Sequence, residues 1–518
     1  MIENVYILKL TLFYAGLFLL ILSVFFHSLS KDKKALLFLI LGGFILFLFG
    51  SIVVPFLNGW DERFHALVAK NLLNHPFMPT LYDSCVLKMP YNNWDNFHVW
   101  LHKQPLFLWQ IALSYKVFGV NEFALRFPNV ILSTAVIYGA YRSGKLFINE
   151  QVGFLAGLLV ATSPYLMGLV GGWNELDQND AAFIAYISLS IWAWIEYLHT
   201  NNKWWIIFIG LFSGFAILCK WLVGMLVYLC WIVFALPRNK LHFKKYGDII
   251  TAFLLTTAIA LPWQLFIFKR YPIEAKSEYQ FNLAHILTPL EGHDGPLTYH
   301  ISLIGELYGS LFIYLIIPAM VIFCLKTKNR ILAISLVLST LFVFIFFSLV
   351  KTKMPAFTLV TILPMYLFMA FFIDFLIIQL QKFKFIYAQK QKIVLVFLLV
   401  LLFFRMDFNL LKKGYLPYEK NDVCYKTLSH NKAVFQNLHL SPSYVLFNVP
   451  GHHYIAAMFY TSSIAYNFTP SYQQYLEVKK ANKEVALFHT ITDAIPTFLK
   501  NDPGFILLKD SISSQGCE

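Results

Sequence analysis

The chain has 518 residues, of which 58% are hydrophobic, 18% aromatic and only 13% charged, with a mean hydropathy of +0.61. That composition excludes a soluble globule for most of the length and predicts an all-α polytopic membrane protein. The formal net charge of +13 is accounted for by basic loops facing an anionic inner leaflet, so nucleic acid is not an expected partner.

Apolar runs of a length suited to crossing a bilayer recur at 4–27, 35–57, 124–147, 150–170, 179–198, 204–219, 221–236, 247–268, 302–325, 330–349, 356–380 and 392–405, which predicts about twelve transmembrane helices. The first has no basic start and no small-residue cleavage site, and is read as a retained span. Lys and Arg concentrate in alternate connections, beginning with Lys31, Lys33 and Lys34. Positively charged loops stay inside, so the loops 58–104 and 269–301 and the tail after about 405 fall outside. The expected organisation is a transmembrane domain over 1–405, with those two loops forming its active face, and an extracytoplasmic α/β domain over 406–518.

Within the first outer loop, Phe64, Leu67, Val68 and Leu72 recur at helical spacing and predict a short interfacial helix with one oily stripe. The stretch 104–119 opens with Pro105 and closes with Gly119, and reads as a second interfacial or partly embedded helix. In the tail, 443–449 and 504–509 read as strands and 478–490 as a helix. "PGHHYIAAMFY" (450–460) reads as a loop-to-helix start. The six cysteines show no zinc-site spacing, and in an oxidising compartment Cys424 and Cys517 are the candidate pair.

Five stretches carry chemistry, and each also has a plain structural reading. Asp61 and Glu62 begin the first loop helix: acids there suit the helix dipole, and carboxylates at a bilayer mouth also suit a base or a cation ligand. In "HVWLHKQPLFLW", His98, His102 and Lys103 precede an oily helix; Lys103 is either snorkelling or holding a phosphate. "GGWNELDQNDAAFIAY" carries Glu175, Asp177 and Asp180, and the latter two, three apart, share a face if both are helical. The long loop 269–301 holds Lys269, Arg270, His285, His293, Asp294 and His300. Lys220, Lys351 and Lys353 stand on the outer side against the general charge bias, and such cations ask for an anion. A divalent cation held by Glu62, His102, His285 and His293 is one reading of those residues, ordinary loop positions the other. All five stretches fall on the outer side, which predicts one site assembled from several loops.

These residues resemble the integral-membrane glycosyltransferases of the C-type fold that use polyprenyl-phosphate sugars, in particular the protein O-mannosyltransferases and the aminoarabinose transferases that modify lipid A. The resemblance rests on Asp61-Glu62, "HKQPLFLW" where the family often has Glu-Lys-Pro-Pro-Leu, "GVNEFALRFPNVI", "NDAAFIAY", "CKWLVGML", the histidine-containing third loop and "KTKMPAFTLVTILP". His102 and Gln104 depart from the family pattern, which leaves metal use open. The resemblance implies a multi-pass protein of the bacterial inner membrane with its site on the outer face. It moves a hexosyl or pentosyl group from a polyprenyl-phosphate donor to a lipid, glycan or protein acceptor. Asp61, Glu62 and Asp180 are then the catalytic candidates. Lys103, Lys220, Lys353, Lys351 and Arg270 are the lipid-phosphate candidates, and Asp177 and His102 the acid or orienting groups. No Gly-rich phosphate loop is present, and no nucleotide cofactor is expected. The rival readings are a transporter or flippase of a lipid-linked glycan and a surface-glycan polymerase or ligase. Transporters tend to show paired repeats and midplane charges, whereas here the ionisable groups crowd one mouth.

Overall fold

The computed structural model describes residues 2–87, 94–173, 176–239, 246–382, 390–406, 408, 422–489 and 495–514. Glu175 and Cys517 lie outside the described residues. The chain divides into two compact units. One comprises Met1–Ser51, Pro128–Gly171 and Asn179–Phe408; the other comprises Ile52–Phe127, Gly172–Gln178 and Asn409–Glu518. The tail therefore shares a unit with the loop 58–104.

The first unit is helical and marks a multi-pass membrane protein. Among the described residues, seven helices are long and apolar enough to cross a bilayer: Ile7–Ser28, Asp32–Ile52, Glu122–Phe147, Gln178–Thr200, Gly247–Arg270, Arg330–Leu349 and Pro355–Leu380. Two bent pairs raise that number to nine. Glu150–Ala161 and Pro164–Gly171 meet at 45°, where Pro164 supplies no amide donor, and Tyr299–Tyr308 and Phe312–Lys326 meet at 95°. Gly309, at the second bend, has φ +124°, a conformation that L side chains rarely adopt. Trp204–Cys219, Leu222–Arg238 and Val394–Arg405 are shorter apolar helices. Every one of the twelve expected runs is thus helical, but only part of them are full-length straight spans. Large apolar side chains such as Leu254, Ile345 and Phe404 stay uncovered; hydrocarbon tolerates such surface and water does not. Helices close up through small residues: a Cβ on Gly144 would lie 2.8 Å from the backbone nitrogen of Gly153. The loop 269–301 contains a 16-residue helix, Pro272–Leu287, which its polar, aromatic sequence had hidden.

In the second unit the helix Asp61–Asn71 forms where expected, but nearly all of it is buried, well beyond one oily stripe. The helices Pro105–Phe118 and His453–Tyr460 pack on it. Lys70 Nζ donates to the carbonyls of Met458 (2.8 Å), Phe459 (2.9 Å) and Thr461 (2.7 Å), so a cation closes the C-terminal end of the tail helix. On Pro105–Phe118, Leu113 and Val117 remain exposed, as an embedded helix requires. The tail folds as a four-stranded parallel sheet of β1 (Tyr444–Phe447), β2 (Ile464–Ala465), β3 (Glu484–Phe488) and β4 (Ile506–Leu508), in the order β2-β1-β3-β4. The helix expected over 478–490 is overturned. The helix is Tyr472–Lys480, capped by Ser471 and Gln474, and the chain then turns through Asn482 at φ +54° into β3. A central parallel strand is buried on both faces, so its sequence lacks the alternation by which strands are recognised. Cys424 is disulfide-bonded, and the other cysteines among the described residues are free thiols.

Candidate functional site

Asp61 is the first residue of its helix, after Trp60 at the N-cap. Its carboxylate does not cap the helix. It faces Lys103, whose ammonium sits 3.0 Å from Asp61 Oδ1 and 3.0 Å from Asp177 Oδ2. One cation thus joins two carboxylates that are more than a hundred residues apart in the chain. Burial by itself lowers the Lys103 pKa, but Asp177 and Asp61 outweigh it and hold the group well above its ordinary value. The cluster therefore sets two carboxyl groups around one fixed positive charge, and Lys103 is engaged as the tether of an acid pair.

Glu62 has a different place. Its side chain is 1% exposed, and Arg126, with none of its side chain exposed, approaches it at 2.7 Å through Nε. Arg126 also donates to the Glu62 Oε2 (3.2 Å) and to the carbonyls of Val54 (2.6 Å) and Phe56 (2.7 Å). Asn58 donates to Glu62 Oε2 from its backbone (2.6 Å) and side chain (2.5 Å), and Gln178 Nε2 donates to Oε1 at 2.9 Å. Gly172 has φ +65°, and a Cβ there would lie 2.9 Å from Gln178 Nε2. Glu62 and Arg126 thus form a buried, fully bonded pair that fixes the entry of the helix carrying Asp61. The sequence signal was an Arg in the mostly apolar "EFALRFPNVIL".

His65, one turn after Asp61, is fully buried between Trp100 and Phe107, with Nε2 3.9 Å from Asp177 Oδ1. Desolvation lowers its pKa to about 4, against a weaker upward pull from Asp177 and Asp61. Above the unfolded value of 6.5 the ring is neutral in both states and costs nothing. As pH falls from 6.5 towards 4 the unfolded chain takes a proton that the folded chain refuses, so stability declines through that window by up to about 3 kcal/mol. His65→Phe is expected to flatten the acid-side fall of the thermal midpoint; a profile parallel to wild type contradicts this.

In the membrane-spanning unit, Asp180 stands in the first turn of Gln178–Thr200 and pairs with Lys220, whose ammonium also lies 5.6 Å from the Phe357 ring centre. Asp177 precedes that helix, so the two aspartates are not successive turns of one helix face, as their spacing suggested. Lys353 donates to the carbonyls of Phe347 (3.0 Å), Ser348 (2.6 Å) and Val350 (2.5 Å). An ammonium has three donors, so this lysine is spent on closing the end of the helix Arg330–Leu349. Thr352 holds the third loop: its hydroxyl meets His285 Nδ1 at 3.0 Å and the backbone N–H of Leu290 at 3.2 Å, while the Lys353 N–H donates to the His293 carbonyl. Lys351 and Arg270 are exposed.

The four residues weighed as a metal set each have their own surroundings. Glu62 is tied to Arg126, His102 stacks on Trp94 at 4.1 Å, and His285 and His293 belong to the loop held by Thr352. Among the described residues no group of three or more His, Cys, Asp or Glu side chains is arranged to hold a metal ion.

The bent and straight apolar helices of this chain match the C-type fold of a solved membrane glycosyltransferase. A family model described as dolichyl-phosphate-mannose-protein mannosyltransferase matches residues 102–266. An uncharacterized protein of Aquifex aeolicus is 26% identical over 340 residues, covering 63% of this chain and 62% of that protein. The undecaprenyl phosphate-alpha-4-amino-4-deoxy-L-arabinose arabinosyl transferase of Pseudomonas savastanoi pv. phaseolicola is 24% identical over 363 residues, covering 66% and 61%. The chain thus spans about three fifths of the length of these relatives. The crystal structure of ArnT from Cupriavidus metallidurans bound to undecaprenyl phosphate superposes with a TM-score of 0.60 at 15% identity, over 86% of this chain and 87% of that one.

Proposed function

We propose that the protein is a membrane glycosyltransferase that moves a sugar from a polyprenyl-phosphate donor to a lipid, glycan or protein acceptor on the outer face of a bacterial inner membrane. The observation that carries this reading is Lys103 held between Asp61 and Asp177 at 3.0 Å each. Asp61, 3.0 Å from the Lys103 ammonium, takes the proton of the acceptor hydroxyl as it attacks the anomeric carbon. Asp177 orients Lys103, and its charge offsets the positive character that the sugar ring gains as the phosphate departs. Lys103 offers the departing phosphate a cation that is already desolvated and fixed. The name of the Pseudomonas relative supports a pentosyl donor and the undecaprenyl phosphate in the ArnT crystal a C55-type carrier.

Membranes containing the protein, given polyprenyl phosphates that carry labelled pentoses or hexoses, are expected to pass label to an acceptor and release lipid phosphate. Label that crosses the bilayer while remaining on its lipid establishes a flippase and ends the enzymatic reading.

A further inference from the structure

Trp60 links backbone strain to the mouth of the cluster. It precedes Asp61 and holds φ 56° and ψ −128°, which costs a residue with a bulky side chain on the order of 1–3 kcal/mol. Glycine takes that conformation without penalty, and the chain places an indole there. The indole is half-buried, and among the described residues no ring stacks on it: Trp94 crosses it at 84° with centroids 6.2 Å apart, and His452 at 82° and 5.2 Å. Polar groups stand beside it. His452 Nε2 lies 3.3 Å from Asp95 Oδ2, while Asp95 Oδ1 is buried and has no hydrogen-bond partner among the described residues.

An aromatic ring beside a carboxylate and an imidazole is the surface on which a sugar ring is held. Its C–H face rests on the indole, and its hydroxyls donate to the carboxylate and bond to the imidazole. Trp60 immediately precedes Asp61 in the chain, so the backbone at this group runs straight into the acid pair. We propose that Trp60, Asp95 and His452 form a sugar-ring subsite adjoining the Asp61–Lys103–Asp177 cluster, with His452 contributed by the tail. This rests on the glycosyltransferase reading for the chemistry next to it. The ring it holds is either the transferred sugar of the donor or a sugar of the acceptor, and the recognition chemistry is the same for both.

The test uses the purified full-length protein and its Trp60→Ala, Trp60→Phe, Trp60→Gly and Asp95→Ala variants, with KM measured for the polyprenyl-phosphate sugar and for the acceptor separately. Trp60→Ala and Asp95→Ala are expected to raise the KM of the same substrate by about tenfold, with kcat changed less, and Trp60→Phe to recover most of the loss. The substrate whose KM moves identifies the ring. Trp60→Gly removes the indole and also relieves the strain, so it should lose affinity while its thermal midpoint holds or rises, which separates a lost contact from misfolding. Binding of free pentoses and hexoses is followed in parallel by saturation-transfer NMR. Wild-type protein that binds them at this patch and transfers nothing removes the enzymatic reading and keeps the subsite. Wild-type protein that transfers, with both KM values unchanged in folded Trp60→Gly and Asp95→Ala, removes the subsite and keeps the enzyme.

Discussion

Asp61→Asn is expected to reduce sugar transfer by roughly 10²- to 10⁴-fold, the usual contribution of a positioned general base. The amide keeps the shape and one acceptor oxygen, so Lys103 retains a hydrogen bond to position 61 and its ion pair with Asp177 at 3.0 Å. Thermal stability in detergent should therefore stay near wild type while kcat falls. KM for the donor should change little, because the lost group acts on the acceptor proton. Transfer near the wild-type rate would remove Asp61 from the reaction and leave the acid pair as a structural feature of the loop.

The second large effect falls on folding. Arg126→Met leaves Glu62 buried and uncompensated, and removes the donors to the Val54 and Phe56 carbonyls. Breaking one partner of such a buried pair costs about 3–5 kcal/mol, a large share of what holds a folded domain together. The variant is expected to lose its monodisperse elution and most of its thermal midpoint, and activity with them. The double replacement Arg126→Met with Glu62→Met removes the unpaired charge and should regain part of the midpoint. It should not regain all, since two carbonyls still lack their donor. A single variant as stable as wild type would show that water or another group reaches Glu62.

The two adjacent acids that open the first outer loop thus separate into two roles. Asp61 faces the cluster with Lys103 and Asp177, whereas Glu62 turns inward to Arg126. A helix turns by about 100° per residue, so neighbouring side chains cannot share a direction, and the sequence alone leaves open which of them faces the chemistry. Lys353 and Lys103 illustrate the same limit. Both read as phosphate cations, but the first is consumed by three carbonyls of its own helix end, whereas the second is fixed between two carboxylates. His452 lay in a stretch that read only as a helix start. The helix does begin at His453, and the preceding histidine reaches Asp95, a partner that no sequence spacing announces.

By itself the sequence determined the membrane class, the helical nature of all twelve apolar runs and the loops in which the ionisable residues gather. Hydrophobicity and charge act locally, residue by residue, and can be read without knowing any contact. Only the tertiary structure decided the bends, the burial of the helix Asp61–Asn71, the strand at Glu484–Phe488 and the partner of each charge. Those depend on which distant segments meet: an ammonium bonds whichever oxygens the fold brings within about 3 Å, and its sequence neighbours do not fix that choice.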